Sequence, residues 1–346
     1  MTTLLLSGLA VTAAVCASLT AAVIPLLRRA RVVDVPGDRS LHRTPVPRGG
    51  GLAIVLAASL ATWTAVLAAV HLQGAVHAMS GVDVALMGLA TVLAFALLGL
   101  IEDLFSVSVR ARLVLQLVLG AGLGLVAHSA FEVSLWWTPA ICVGTAALVN
   151  ATNFMDGANG LACGHALLTS LWYVQVAAVA PVAGLGLVMV SVAGACLGFL
   201  PFNTPRAKVF LGDSGSYALG SAWAFAVTAG LSRGVAVEAA LAPVLVLLAD
   251  TGYTLWMRLR AGQCWYAPHR LHVYQRLVCA GWPHWASALL VTLAAAACSA
   301  LAASSLLTSN RLWMPQVAMA AVLIVYLKMP SIIGAPNPFP TLRRAR

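Results

Sequence analysis

The feature that most constrains this chain is a stretch of about 20 apolar residues that recurs along its whole length. Each stretch is long enough to cross a ~30 Å hydrocarbon layer as a helix. Each is also continuous, rather than alternating apolar with polar, which argues against a barrel of strands. The runs fall at about 3–27, 51–71, 83–101, 113–129, 136–149, 161–179, 182–200, 216–232, 236–257, 286–306 and 312–329. Only 9% of the residues are charged, against about 25% in a soluble globular chain, too few to cover a solvated surface. The expected fold is therefore an all-α polytopic integral membrane protein with about 11 transmembrane helices. The first run has no basic residue before it and is followed by Arg28, Arg29 and Arg31, so it reads as a span and not as a cleaved leader.

Basic residues orient the spans. Taking the gaps alternately, one set holds 18 of the 20 Lys and Arg residues and the other holds only Arg233 and Arg311. The positive-inside bias then puts the N-terminus outside and the C-terminus in the cytoplasm. The net charge of +10 lies almost wholly on the cytoplasmic face. Such a face attracts anionic lipid headgroups and suits an anionic substrate. Nucleic acid is not an expected partner, since no soluble basic domain is present. The seven cysteines are scattered without a CxxC pair and read as small buried apolar residues.

Seven of the ten acidic residues fall in cytoplasmic loops or at the cytoplasmic ends of spans, and ionisable groups at membrane depth are costly and default to function. In "LGLIEDLFSVSVRAR", Glu102 and Asp103 close one span, and Arg110 and Arg112 open the next. Two adjacent carboxylates repel, and a cation beside them is the natural compensation. Mg²⁺ takes one or two carboxylates together with substrate phosphate oxygens. "NATNFMDGANG" spaces Asn150, Asn153, Asp156 and Asn159 three residues apart, so a helical turn would gather them on one side. "FNTPRAKVFLGDSGS" holds Asp213 in a Gly-Asp-Ser-Gly turn that enters a span, where Asp213 or Ser214 can cap the helix. "APHRLHVYQRL" sets His269 and His272 at a spacing that shares a helical face, beside Arg270 and Arg276. Asp250 is the deepest acid in the chain. The loop "DVPGDRSLHRTPVPRGGGLA" is too rich in Pro and Gly to be helical throughout.

In this order along the chain, "SLHRTPVPRGGGLA", "GLIED" with "SVSVRARLVLQ", "NATNFMDGANGLA", "FNTPRAKVFLGDSGSYALG" and "PHRLHVYQRL" resemble the motifs of the polyprenyl-phosphate N-acetylhexosamine-1-phosphate transferases. The chain looks closest to the bacterial branch that initiates O-antigen and lipopolysaccharide, because the last loop reads "HRLHVYQRL" instead of carrying a run of three histidines. The resemblance implies one transferase domain over residues 1–346, in a bacterial inner membrane. Its active site would be built from the cytoplasmic loops 28–50, 102–112, 150–160, 201–215 and 258–285. It implies transfer of a sugar 1-phosphate from a UDP-N-acetylhexosamine to undecaprenyl or another polyprenyl phosphate, with UMP released. The implied cofactor is Mg²⁺, for which Mn²⁺ is a chemically acceptable replacement. Membrane lipid is the surroundings, and a homodimer is compatible.

Carried over residue by residue, the resemblance makes Asp213 a metal ligand and Asp103 a second ligand, base or lipid-phosphate contact. Glu102 and His269 are the further catalytic candidates, although Glu102 stands where the family usually has Asp; Asn159 stands where an Asp is common. Asn150, Asn153, Asp156 and Asn159 match the nucleotide loop. Arg110 and Arg112 are phosphate contacts, and His269, Arg270 and His272 match a basic cluster near the diphosphate. Asp250 matches a recurrent acid, expected at the substrate. Two other classes compete: a secondary transporter, which would place polar residues at midplane on broken helices, and an intramembrane aspartyl protease, which needs a second aspartate facing Asp250.

Overall fold

In a bilayer the backbone must satisfy its own hydrogen bonds, and a helix does this within one segment. Every predicted run is helical in the computed structural model, which describes residues 2–37, 41–42, 44–73, 75–180, 182–264, 266–267, 269–307 and 313–336. Asp38, Arg39, Arg43, Arg311, Arg343, Arg344 and Arg346, all used in the charge argument, lie outside the described residues.

The long helices are α1 (Thr2–Arg29), α2 (Gly51–Gln73), α3 (Ala75–Phe105), α4 (Val109–Phe131), α5 (Thr138–Met155), α6 (Leu161–Val179), α7 (Leu185–Asn203) and α8 (Gly212–Ser232). A short α9 (Val237–Leu241) then leads through a tight turn containing Pro243 into α10 (Leu245–Arg260). Next come α11 (Val273–Cys279), α12 (His284–Leu307) and α13 (Met314–Ile332). Among the described residues, nine helical stretches are long and apolar enough to cross a membrane. The fifth and eighth predicted runs, α5 and α8, are not among the nine. Their polar ends carry Asn150, Asn153, Asp213 and Ser216.

The most enclosed helix is α8, buried along nearly its whole length and packed against α3 and α5. Its glycines, serines and alanines allow backbones to come close, as small residues do between membrane helices. A Cβ on Gly51 would lie 2.3 Å from Gly215 Cα, so only glycine lets the start of α2 touch the start of α8. A Cβ on Gly99 would likewise lie 2.3 Å from the Asp213 carbonyl oxygen, which fixes α3 against the same point. Around this centre α7 packs on α1, α2 and α6, while α12 packs on α6 and α13. Cys16, Cys163, Cys196 and Cys298 are buried as expected, but Cys264 and Cys279 are exposed.

Several predicted loops are partly helix. Asn150 and Asn153 lie in the last turns of α5, with Asp156 directly after it. Glu102 and Asp103 end α3. Strands were not expected, yet the loop before α2 folds into a short antiparallel pair, β1 (Val33–Asp34) with β2 (Val46–Pro47).

Candidate active site

The site forms where three chain segments meet at the start of α8. The strand leading into α2 is tied to the segment before α8. Phe210 N–H donates to the Pro47 carbonyl, Gly50 N–H to Phe210 and Gly51 N–H to Leu211. This clamp sets the Arg48 guanidinium between two carboxylates. Its Nε lies 2.9 Å from Asp103 Oδ1, and Nη2 lies 2.9 Å from Asp213 Oδ2.

Asp103 comes from the end of α3 and is only 4% exposed. It accepts the backbone N–H groups of Asp213 and Ser214, each at 3.0 Å, and so caps α8. Such a cap satisfies orphan donors and complements the positive end of the helix. Self-capping by Asp213 or Ser214 was the expectation from sequence; the cap instead comes from another helix. That leaves Asp213 free to face away. Its Oδ1 accepts from Asn153 Nδ2 at 2.7 Å, and the same amide donates to Ser216 Oγ at 3.1 Å.

Asp213 and Arg48 line a cavity of about 330 Å³ with Asn153, Asp156 and Asn159. Its farther wall includes His42, Asn203, Phe210, Gln275 and His284. Asn203 Oδ1 accepts from Gly160 N–H at 2.7 Å and its Nδ2 donates to the Val209 carbonyl, joining the two loops. Asn159 donates to the Pro205 carbonyl at 3.1 Å. Burial pushes the Asp156 carboxyl well above the usual carboxylate range; Asp213 and Asp103 add to this and Arg48 opposes it. The cavity therefore holds acidic groups, amides and one guanidinium in a desolvated setting, suited to a cation and a phosphorylated ligand together.

Other predicted residues are placed elsewhere. Glu102 turns away from Asp103: it accepts from Val107 N–H at 3.0 Å and pairs with Arg112 at 3.1 Å, bracing the α3–α4 turn. Arg112 is thereby engaged, and Arg110 is exposed and does not line the cavity. Asn150 points to α4, donating to Gln116 Oε1 at 2.5 Å. Although His269 and His272 were expected on one helical face, the segment before α11 is not helical and His272 only precedes that helix. Their rings still stand 4.9 Å apart. Burial, with His272 and Arg258 beside it, lowers the His269 pKa to about 4, so it is neutral at pH 7. Neither His269, Arg270 nor His272 lines the cavity.

Asp250, expected at the substrate, is fully buried and closed. Oδ1 accepts from His272 Nδ1 at 3.1 Å and from Thr254 Oγ1 at 3.2 Å, while Oδ2 accepts from Tyr326 at 2.8 Å. Val273 N–H donates to both oxygens. These donors take up its oxygens, and Asp250 does not line the cavity. None of these partners is a second carboxylate, so the pair an aspartyl protease needs is not made here.

Sequence reasoning passed over Arg48 as a site residue, along with His42, Asn203 and His284. Arg48 had a signal, since it directly precedes Gly49–Gly51, where a backbone must approach closely.

A model of glycosyl transferase family 4 matches residues 84–231, a segment that holds Asp103, Asn153, Asp156 and Asp213. The decaprenyl-phosphate N-acetylglucosaminephosphotransferase of Mycobacterium leprae is 31% identical over 307 residues, covering 78% of this chain and 75% of that one. This chain belongs to the polyprenyl-phosphate N-acetylhexosamine-1-phosphate transferases. A probable undecaprenyl-phosphate N-acetylglucosaminyl 1-phosphate transferase of Bacillus subtilis is 28% identical, covering 78% of this chain and 77% of its own length. The phospho-N-acetylmuramoyl-pentapeptide-transferase of Desulforudis audaxviator is 33% identical over a shorter stretch, 57% of this chain and 68% of that relative.

The residues of this transferase suit a hard cation of the Mg²⁺ type. Among the described residues, no cluster of three His, Cys, Asp or Glu forms a cage for a metal. Mg²⁺ does not require one, since it is bound through one or two carboxylates plus phosphates and water. A carboxylate has about four lone-pair sites. Asp103 has three engaged and does not line the cavity; Asp213 has two engaged and does. The geometry favours Asp213 over Asp103 as a ligand.

Proposed function

We propose that this chain transfers N-acetylhexosamine 1-phosphate from a UDP-sugar to polyprenyl phosphate, giving polyprenyl-diphospho-sugar and UMP, and so begins an envelope glycan. The observation that carries this reading is the convergence of Arg48, Asn153, Asp156 and Asp213 on one cavity, in a chain whose relatives are named for that transfer. N-acetylglucosamine is the sugar in two of those names and is the first donor to test.

Phosphoryl transfer is mostly positioning and charge neutralisation, and these residues supply both. Asn153 holds Asp213 in place, and Arg48 brings a positive charge to the wall where a diphosphate would lie. Asp213, with Asp103 behind it, would hold Mg²⁺, which would offset the charge of the diphosphate. In the step itself an oxygen of the acceptor phosphate forms a bond to the β-phosphorus. The bond from that phosphorus to the bridging oxygen breaks, and UMP leaves with the electron pair. The acceptor is already an anion near neutral pH, so direct attack needs little activation.

The finer reading has eleven spans in a bacterial inner membrane, with the cavity at the cytoplasmic face. It rests on the basic-residue asymmetry and the eleven helical runs. Service to O-antigen and lipopolysaccharide rests on the form of the last loop. The test is UMP release from a panel of UDP-N-acetylhexosamines with undecaprenyl phosphate and Mg²⁺, using active membranes. Turnover with at least one donor is expected; none with any donor rejects the proposal.

A further inference from the structure

Arg48 raises a question that charge neutralisation alone does not answer. Its guanidinium takes one oxygen of each carboxylate, and the oxygen it takes on Asp213 belongs to a residue that lines the cavity. Its backbone is held on both sides: Arg48 N–H donates to the Val32 carbonyl, and the residue bridges to Phe210. The side chain itself is 38% exposed, against 4% for Asp103. The anchor is fixed while the charged head has room to leave.

Two carboxylates this close, in a desolvated setting, are costly without a nearby positive charge. Arg48 provides that charge, paired with both carboxylates. We infer that Arg48 is a built-in counter-cation on one oxygen of Asp213, so that a divalent cation arriving on the same carboxylate repels and displaces it. The displaced guanidinium remains at the cavity wall, free to meet the phosphates of the donor, and its planar fork suits that contact. The metal-ready state would thus be coupled to the arrival of an anion. This rests on the reading of Asp213 as a cation ligand given above.

The experiment is Mn²⁺ binding to the purified full chain without either substrate, followed by electron paramagnetic resonance and by thermal unfolding. In Arg48→Gln, which keeps polar reach but loses charge, Mn²⁺ is expected to bind roughly tenfold tighter or more, as follows from removing a unit charge a few ångströms away. The metal-free variant is expected to unfold several degrees below the parent chain. Saturating Mn²⁺ is expected to restore that loss, because the metal replaces the missing charge. Arg48→Lys, with a compact charge that cannot span both carboxylates, is expected to fall between.

Unchanged or weaker Mn²⁺ binding in Arg48→Gln overturns the inference, and so does a stability loss that Mn²⁺ leaves in place. Asp213→Asn separates the two layers. If Mn²⁺ binds the parent chain equally well with and without that substitution, the metal assignment fails and the inference falls with it. If Asp213→Asn abolishes binding while Arg48→Gln leaves it unaltered, the metal assignment stands and only the displacement is wrong.

Discussion

Asp213, in the first turn of α8, and Asp250, inside α10, are both shielded aspartates, and the fold treats them in opposite ways. Asp250 is sealed: Thr254, His272, Val273 and Tyr326 surround it, so α10, the start of α11 and α13 are joined through one carboxylate. Asp213 is 14% exposed, lines a cavity, and is held by Asn153 and by the guanidinium of a partly exposed arginine. A buried acid is structural when donors use up its oxygens, and stays open to a ligand when a partly exposed cation balances it.

The comparison can be broken most directly at Asp213. Changing Asp213→Asn is expected to lower turnover by roughly 10³-fold or more, the scale of losing a charge-stabilising group, while the unfolding midpoint barely moves. Assays of UMP release beside thermal unfolding in detergent would show it; retained activity would remove Asp213 from the mechanism. Asp250→Ala should do the reverse. Removing one member of a buried charged network leaves its partners unsatisfied, at a cost of about 3–5 kcal/mol. A variant of normal stability that had lost donor binding would instead make Asp250 a substrate contact.

A sharper and smaller probe is Tyr326→Phe, which deletes only one donor to Asp250. A hydrogen bond to a charged group contributes about 1.5–3 kcal/mol, so a modest fall in midpoint is expected, with the donor KM unchanged. The smallest expected effect concerns pH. The Asp156 carboxyl titrates above its unfolded value, so the folded chain binds the extra proton and its contribution to stability is lost as pH rises through the folded pKa. Asp156→Asn should therefore unfold at a higher temperature than the parent near neutral pH, with the gap closing in acid. Thermal unfolding across pH 5 to 8 without substrate checks this; a variant less stable at neutral pH would contradict it.

Much of this molecule was legible in its sequence because the relevant signal is local. A continuous apolar run reports its own tendency to sit in lipid, and each of the eleven runs is largely helical, the ninth being broken at Pro243. Spacing also worked over short range, since Asn153, Asp156 and Asn159 do reach one cavity. It failed for Asn150, whose partner Gln116 sits on α4, and it carried no information on the partners of Glu102 and Asp250, Arg112 on α4 and Tyr326 76 positions away.

What the sequence by itself determined was the class of fold and the set of polar segments able to carry chemistry, because hydropathy and motif order are properties of neighbouring residues. Which acid lines the cavity and which is fastened depends instead on how the helices pack. That choice depends on contacts such as Asp103 capping Asp213 across 110 positions and Arg48 reaching both. The free energy of a buried carboxylate is set by the donors within a few ångströms of its oxygens, and only the packing of the helices brings those donors there.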